Sequence, residues 1–176
     1  VAGATRHAVR MPTDFTMIVQ PYWSPIPMGG DIRYSQSGFT RQSVGGCGVW
    51  NRDADWANNT AVAKMNQSLT DGAVRAGLQN YVVLDMSAAL NGHRLCERTV
   101  GLLEEVGVDT WQSPGAADRT EWVSQIRTVT TVFGPYQLQE GIHSRYWGQL
   151  AMRNCLRQAF GSGAVRGGRC TSAGGV

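Results

Sequence analysis

The residues Gln139-Glu-Gly-Ile-His143 carry the clearest chemical signal in the chain. A carboxylate three positions before a histidine, in a loop entering a helix, can reach the imidazole. There it would hold one tautomer and stabilise the imidazolium, the supporting part of a nucleophile–histidine–acid triad. Taken alone, such a pair also arises by chance, with His143 merely preceding a helix and Glu140 solvated. The other titratable residues carry less. His93 stands in Gly-His-Arg-Leu-Cys beside Cys96 and is expected to bond to backbone rather than to catalyse. His7 lies in an irregular N-terminal segment. Asp85, at the end of an apolar run, sits where α/β sheets place functional groups, and serves equally well as a turn cap. Ser35 and Ser37 occupy a Gly/Ser-rich loop without the strand-then-turn setting that an exposed nucleophile needs.

The elements that must position these residues alternate. Phe15–Gln20 is a short apolar run stopped by Pro21, and Tyr81–Asp85 is a second; both are expected as buried strands. From Met28 to about Asp53 runs a segment rich in Gly, Ser and aromatics without a period, the kind of long loop that is functional or held by a partner. Residues 56–75 place Ala57, Ala61, Met65 and Leu69 at i+4 steps, which predicts an amphipathic helix ending near Gly77. Short helices are expected over 98–106 and, from the box Asp118-Arg-Thr-Glu121, over 118–129. A last helix over 145–160 would bury Trp147, Leu150, Ala151 and Leu156 and stop at Gly161. Alternating strands and helices predict α/β layers around a parallel sheet, but two strands make a poor sheet. The sequons at Asn58 and Asn66 fall on the expected helix and are read as unmodified.

Composition narrows the class. The 176 residues suit a single domain over 1–176. No run approaches the ~20 apolar residues that cross a bilayer. Sixteen basic residues, of which only Lys64 is lysine, oppose thirteen acidic ones. They are dispersed, so no nucleic-acid footprint is present. The chain opens at Val1 without a leader, which is read as a mature or clipped product. Cys47, Cys96, Cys155 and Cys170 contain no C-x-x-C pair, and the histidines do not flank them at zinc spacing; neither a metal nor a cofactor is expected. An even count allows two disulfides in three connectivities. The sequential one, Cys47–Cys96 and Cys155–Cys170, is favoured because the second bridge would fasten the Gly-rich tail 161–176. Such bridges imply a secreted, extracellular protein. Most of the six tryptophans are expected in the core, with Trp23 and Trp50 on loops as candidates to line an acyl-binding cleft.

Four blocks resemble the SGNH (GDSL-type) hydrolases, in particular their secreted, lipase-like actinobacterial branch: Tyr22-Trp-Ser-Pro-Ile-Pro27, Gly45-Gly-Cys-Gly-Val-Trp50, Gly92-His-Arg-Leu-Cys-Glu97 and Glu140-Gly-Ile-His-Ser-Arg-Tyr-Trp-Gly-Gln-Leu150. The resemblance implies a three-layer α/β/α sandwich, His143 as general base, Glu140 as triad acid and Gly148 as the glycine of the final helix. Two features depart from the family pattern. Glu140 replaces the usual Asp, and Ser144-Arg145 stand where Pro-Asn is common. The family's Gly-Asp-Ser block, which carries the nucleophile, is absent. The resemblance therefore implies the C-terminal portion of a hydrolase acting on a lipid or other ester, with the serine and the first strands on an N-terminal fragment of the same precursor. The alternative is a hydrolase-derived module that binds or assembles without catalysing.

Overall fold

A computed structural model describes residues 15–125, 141–161 and 163–172. Three parallel strands form the sheet in the order β1 (Met17–Val19), β2 (Tyr81–Ala88) and β3 (Gly168–Thr171). β1 pairs with the start of β2, Met17 opposite Tyr81 and Val19 opposite Val83. β3 pairs with its later part, Leu84 opposite Gly168 and Ala88 opposite Thr171, across an irregularity after Asp85. The chain is thus an α/β fold, with one strand more than the apolar runs predict. The extra strand lies in the Gly-rich tail, whose composition disfavours a strand. It forms because β2 offers it a ladder and because Cys170 is bridged to Cys155 on the last helix.

Both sequential disulfides are present, with Cα–Cα distances of 6.3 Å for Cys47–Cys96 and 5.8 Å for Cys155–Cys170. Each sits within one of two cores. The larger gathers Ile26, Ile32, Leu90, Leu95, Trp122 and Val123 around Cys47–Cys96. The smaller packs Leu84, Met86 and Ala89 of the sheet against Cys155 and Ala159 of the last helix.

The helices are α1 (Thr40–Ser43), α2 (Asn51–Trp56), α3 (Ala63–Arg75), α4 (Ala116–Arg119) and α5 (Tyr146–Ala159). A π-helical stretch, Ala57–Val62, joins α2 to α3, so the expected helix starts five residues early. Asn58 accounts for the wide turn: its Nδ2 donates to the Ala54 carbonyl, the acceptor an α-helix would reserve for a backbone N–H, and also to the Ile26 and Pro27 carbonyls. Of the expected apolar stripe, Met65 and Leu69 are exposed. Among the described residues no helix is long and apolar enough to cross a membrane.

Three local expectations fail for identifiable reasons. Residues 98–106 form turns rather than a helix, because Glu105 reaches back to the Leu102 N–H (2.8 Å) and to the Tyr34 hydroxyl. The helix expected over 118–129 is replaced by α4, which ends at Arg119; Thr120 Oγ1 bonds the Ala116 carbonyl and the chain then extends. Residues 126–129 lie outside the described set. The long segment 28–53 needs no partner to order it. Buried Arg41 spans it, donating to the Tyr34 and Val49 carbonyls and to Asn51 Oδ1.

Candidate functional site

His143 is placed by a short backbone pairing. Residues 122–124 run antiparallel to 142–145 around the bridge Val123–Ser144. Ser124 N donates to the His143 carbonyl (2.8 Å), Ile142 N to the Ser124 carbonyl (2.9 Å) and Arg145 N to the Trp122 carbonyl (2.6 Å). The chain turns at Ile142, which adopts φ +57°, and α5 starts at Tyr146. His143 is left exposed. Its Nδ1 lies 3.0 Å from the Gly141 carbonyl oxygen. A carbonyl only accepts, so this bond requires the proton on Nδ1. In the neutral ring Nε2 then carries the lone pair, and it makes no hydrogen bond to any described residue. Glu140, the expected triad acid, lies outside the described residues.

The pairing is anchored to the sheet through Trp122. Its backbone N–H donates to the His93 carbonyl (2.8 Å), and His93 N–H donates to the Leu90 carbonyl two residues beyond β2. The segment bearing His143 is therefore tied to the turn after the C-terminal end of a parallel strand, where α/β sheets carry their functional groups. Gly148 makes this close approach feasible. A Cβ there would lie 2.8 Å from the Trp122 carbonyl oxygen and 3.0 Å from Ser144 Cβ. Gly148→Ala is expected to push α5 off the 122–124 segment and to destabilise the fold by about 1–3 kcal/mol. A urea midpoint equal to that of the wild type would show the contact to be slack.

His93 has a structural place. Its ring stacks on Trp122 at 3.8 Å, and Nδ1 bonds the Thr120 carbonyl. Burial pushes its pKa down against the opposing pull of that carbonyl, Glu97 and Asp118, so the ring stays neutral.

Beneath the 120–125 segment lies a cluster of buried charge that no sequence pattern announces. Arg33 Nη2 contacts Glu121 Oε1 (2.8 Å), Glu105 Oε2 (3.0 Å) and the Tyr34 hydroxyl (2.9 Å), while Nη1 donates to the Glu97 and Val100 carbonyls. Glu121 Oε1 also accepts the Cys96 N–H. Burial pushes the Glu121 carboxyl up despite Arg33. For Glu105 burial acts in the same sense, but bonds from Tyr34, the Leu102 N–H and Arg33 outweigh it and hold the carboxyl below its ordinary range. Burial and the bond to Glu105 push the Tyr34 phenol up to about 12. Below pH ~10 the phenol is protonated folded or unfolded. As pH rises from there towards 12, the unfolded chain gives up the proton first, so stability present below pH ~10 is progressively lost. Tyr34→Phe is expected to flatten this part of the alkaline stability profile. Profiles that stay parallel would exclude Tyr34 as its source.

The remaining sequence candidates are dispersed. Trp23 is half-buried, packs against both cores and donates to Met152 Sδ (3.2 Å). Trp50 is exposed at the start of α2, and Ser35 and Ser37 bond each other on the surface. Asp85 accepts the Ser87 N–H and faces Arg169 at 3.7 Å. Of the six tryptophans only Trp122 is fully buried; Trp50, Trp56 and Trp111 are exposed, contrary to the expectation that most fill the core. No group of three or more potential metal ligands occurs among the described residues. No protein-family model matches the sequence, and no curated protein or solved structure is similar to it.

Proposed function

We propose that this chain is the C-terminal portion of a secreted serine ester hydrolase of the SGNH type, contributing the general base His143 and the triad acid Glu140. The serine would lie on an N-terminal fragment of the same precursor, together with the strands that complete an α/β/α sandwich. The substrate is a lipid or another acyl ester. One observation carries this reading: an exposed imidazole, tied to the loops that follow β2, with Nδ1–H committed to the Gly141 carbonyl and Nε2 open to an incoming hydroxyl.

The chemistry follows from that tautomer. The partner fragment's serine hydroxyl gives its proton to His143 Nε2 as its oxygen attacks the ester carbonyl. The tetrahedral intermediate collapses, and the imidazolium returns the proton to the leaving alkoxide. Water, deprotonated by the same Nε2, then releases the acid. Glu140 steadies the imidazolium. Donors for the oxyanion come from the other fragment, each worth ~2.7–4 kcal/mol in the transition state.

The composition of the natural protein tests the reading. Intact-mass analysis under denaturing conditions should find a second polypeptide containing Gly-Asp-Ser, and a fluorophosphonate probe should label that polypeptide. A folded sample holding this chain alone and inert to the probe would overturn the proposal in favour of a module that binds or assembles without catalysing.

A further inference from the structure

Three aromatic rings cluster at the start of α5, and packing explains only one of them. Trp147 is half-buried against the larger core, and its Nε1 donates to the Trp111 carbonyl (2.9 Å). Tyr146 packs edge-on against it at 5.0 Å, and Trp111 lies over Tyr146 at 4.2 Å. Trp111 and Tyr146 nevertheless stay exposed, at 42% and 47%. Trp147 thus serves as a fixed backing for two outward rings whose positions are set before any ligand arrives.

Ile142 adds an independent sign. A β-branched residue at φ +57° is an outlier in a region that glycine or asparagine occupies with far less strain, and such outliers gather at binding and catalytic sites. Its side chain is 44% exposed, so core packing does not explain an apolar residue there. The rings and Ile142 flank His143 in the chain, Ile142 one residue before it and Tyr146 three after.

We infer that Trp111 and Tyr146 form a substrate shelf beside His143 that stacks on the face of a pyranose ring, so that the ester cleaved is one borne on a sugar. This rests on the hydrolase reading above. An acyl chain is flexible and is held by grooves that wrap most of its surface. An exposed two-ring shelf covers one face of its ligand and suits a flat, rigid one. A pyranose with equatorial hydroxyls presents axial C–H bonds on each face, partially positive and complementary to the electron-rich face of an aromatic ring. Its rim of hydroxyls would meet polar neighbours, exposed Gln112 and Gln149, the latter bonded to Ser144 Oγ at 2.6 Å.

The test is a tryptophan-fluorescence titration of this chain with cellotetraose and, separately, with decanoate. Cellotetraose should give a saturable change whose half-saturation rises roughly tenfold in Trp111→Ala and in Tyr146→Ala, with Trp111→Phe close to wild type. Circular dichroism confirms that each variant is folded. His143→Ala should bind cellotetraose as the wild type does, which separates this shelf from the catalytic reading. No response to cellotetraose, a response to decanoate alone, or half-saturation unmoved in both alanine variants would overturn the inference.

Discussion

Replacing His143 by alanine in the assembled two-piece hydrolase is expected to lower kcat by about 10⁴-fold or more, with KM changed little. The side chain is exposed and bonds only the Gly141 carbonyl among the described residues, so its removal should leave the urea midpoint of this chain unchanged. That separation makes the variant informative, because lost activity then reports chemistry rather than folding. Glu140→Gln should cost less than His143→Ala. The Gly141 carbonyl already holds the proton on Nδ1, so what the glutamine variant lacks is the negative charge that steadies the imidazolium. Turnover of His143→Ala within tenfold of wild type, measured on the same ester, would remove the imidazole from the mechanism.

The largest effect on stability is expected from Arg33→Ala. Its guanidinium faces two carboxylates, Glu121 and Glu105, and Glu121 has no exposed side-chain surface. Removing the cation leaves that carboxylate buried without its counter-charge, which typically costs about 3–5 kcal/mol. Two further bonds, to the Glu97 and Val100 carbonyls, go with it. The network as it stands is imperfect: Arg33 Nε and Glu121 Oε2 are buried with no hydrogen-bond partner among the described residues. Replacing both partners by apolar residues of similar size, as in Arg33→Met with Glu121→Leu, should therefore recover most of the loss. A urea midpoint for Arg33→Ala that implies less than about 1 kcal/mol of destabilisation would show that water reaches and solvates Glu121 once the arginine is gone.

The same pair explains where local sequence signals mislead. Asp118-Arg-Thr-Glu121 has the spacing of a helix start, but Glu121 is drawn inward to Arg33 and the Cys96 N–H, and the chain beyond it extends. The exchange of a helix for an extended segment has a functional consequence, since residues 122–124 are the ones that pair with 142–145 and place His143. Arg41 acts in the same way on 28–53. A loop without period reads as unsupported until one buried guanidinium collects its carbonyls.

The sequence by itself determined the elements whose signal is local. The apolar runs at β1 and β2 and the spacing of α5 are legible because strand and helix periods depend on near neighbours. The sequential disulfides were legible because the tail had little else to fasten it, and the Glu140-Gly-Ile-His143 spacing showed which imidazole to examine. Only the tertiary structure decided the rest. β3 is a strand because β2 and Cys155 hold it, not because Gly168–Thr171 favour one. The buried charges of Arg33 and Arg41, the aromatic backing of Trp111 and the open Nε2 of His143 all depend on contacts between residues far apart in the chain. A pattern confined to neighbours carries no record of a partner sixty or ninety positions away, and there the fold alone chooses.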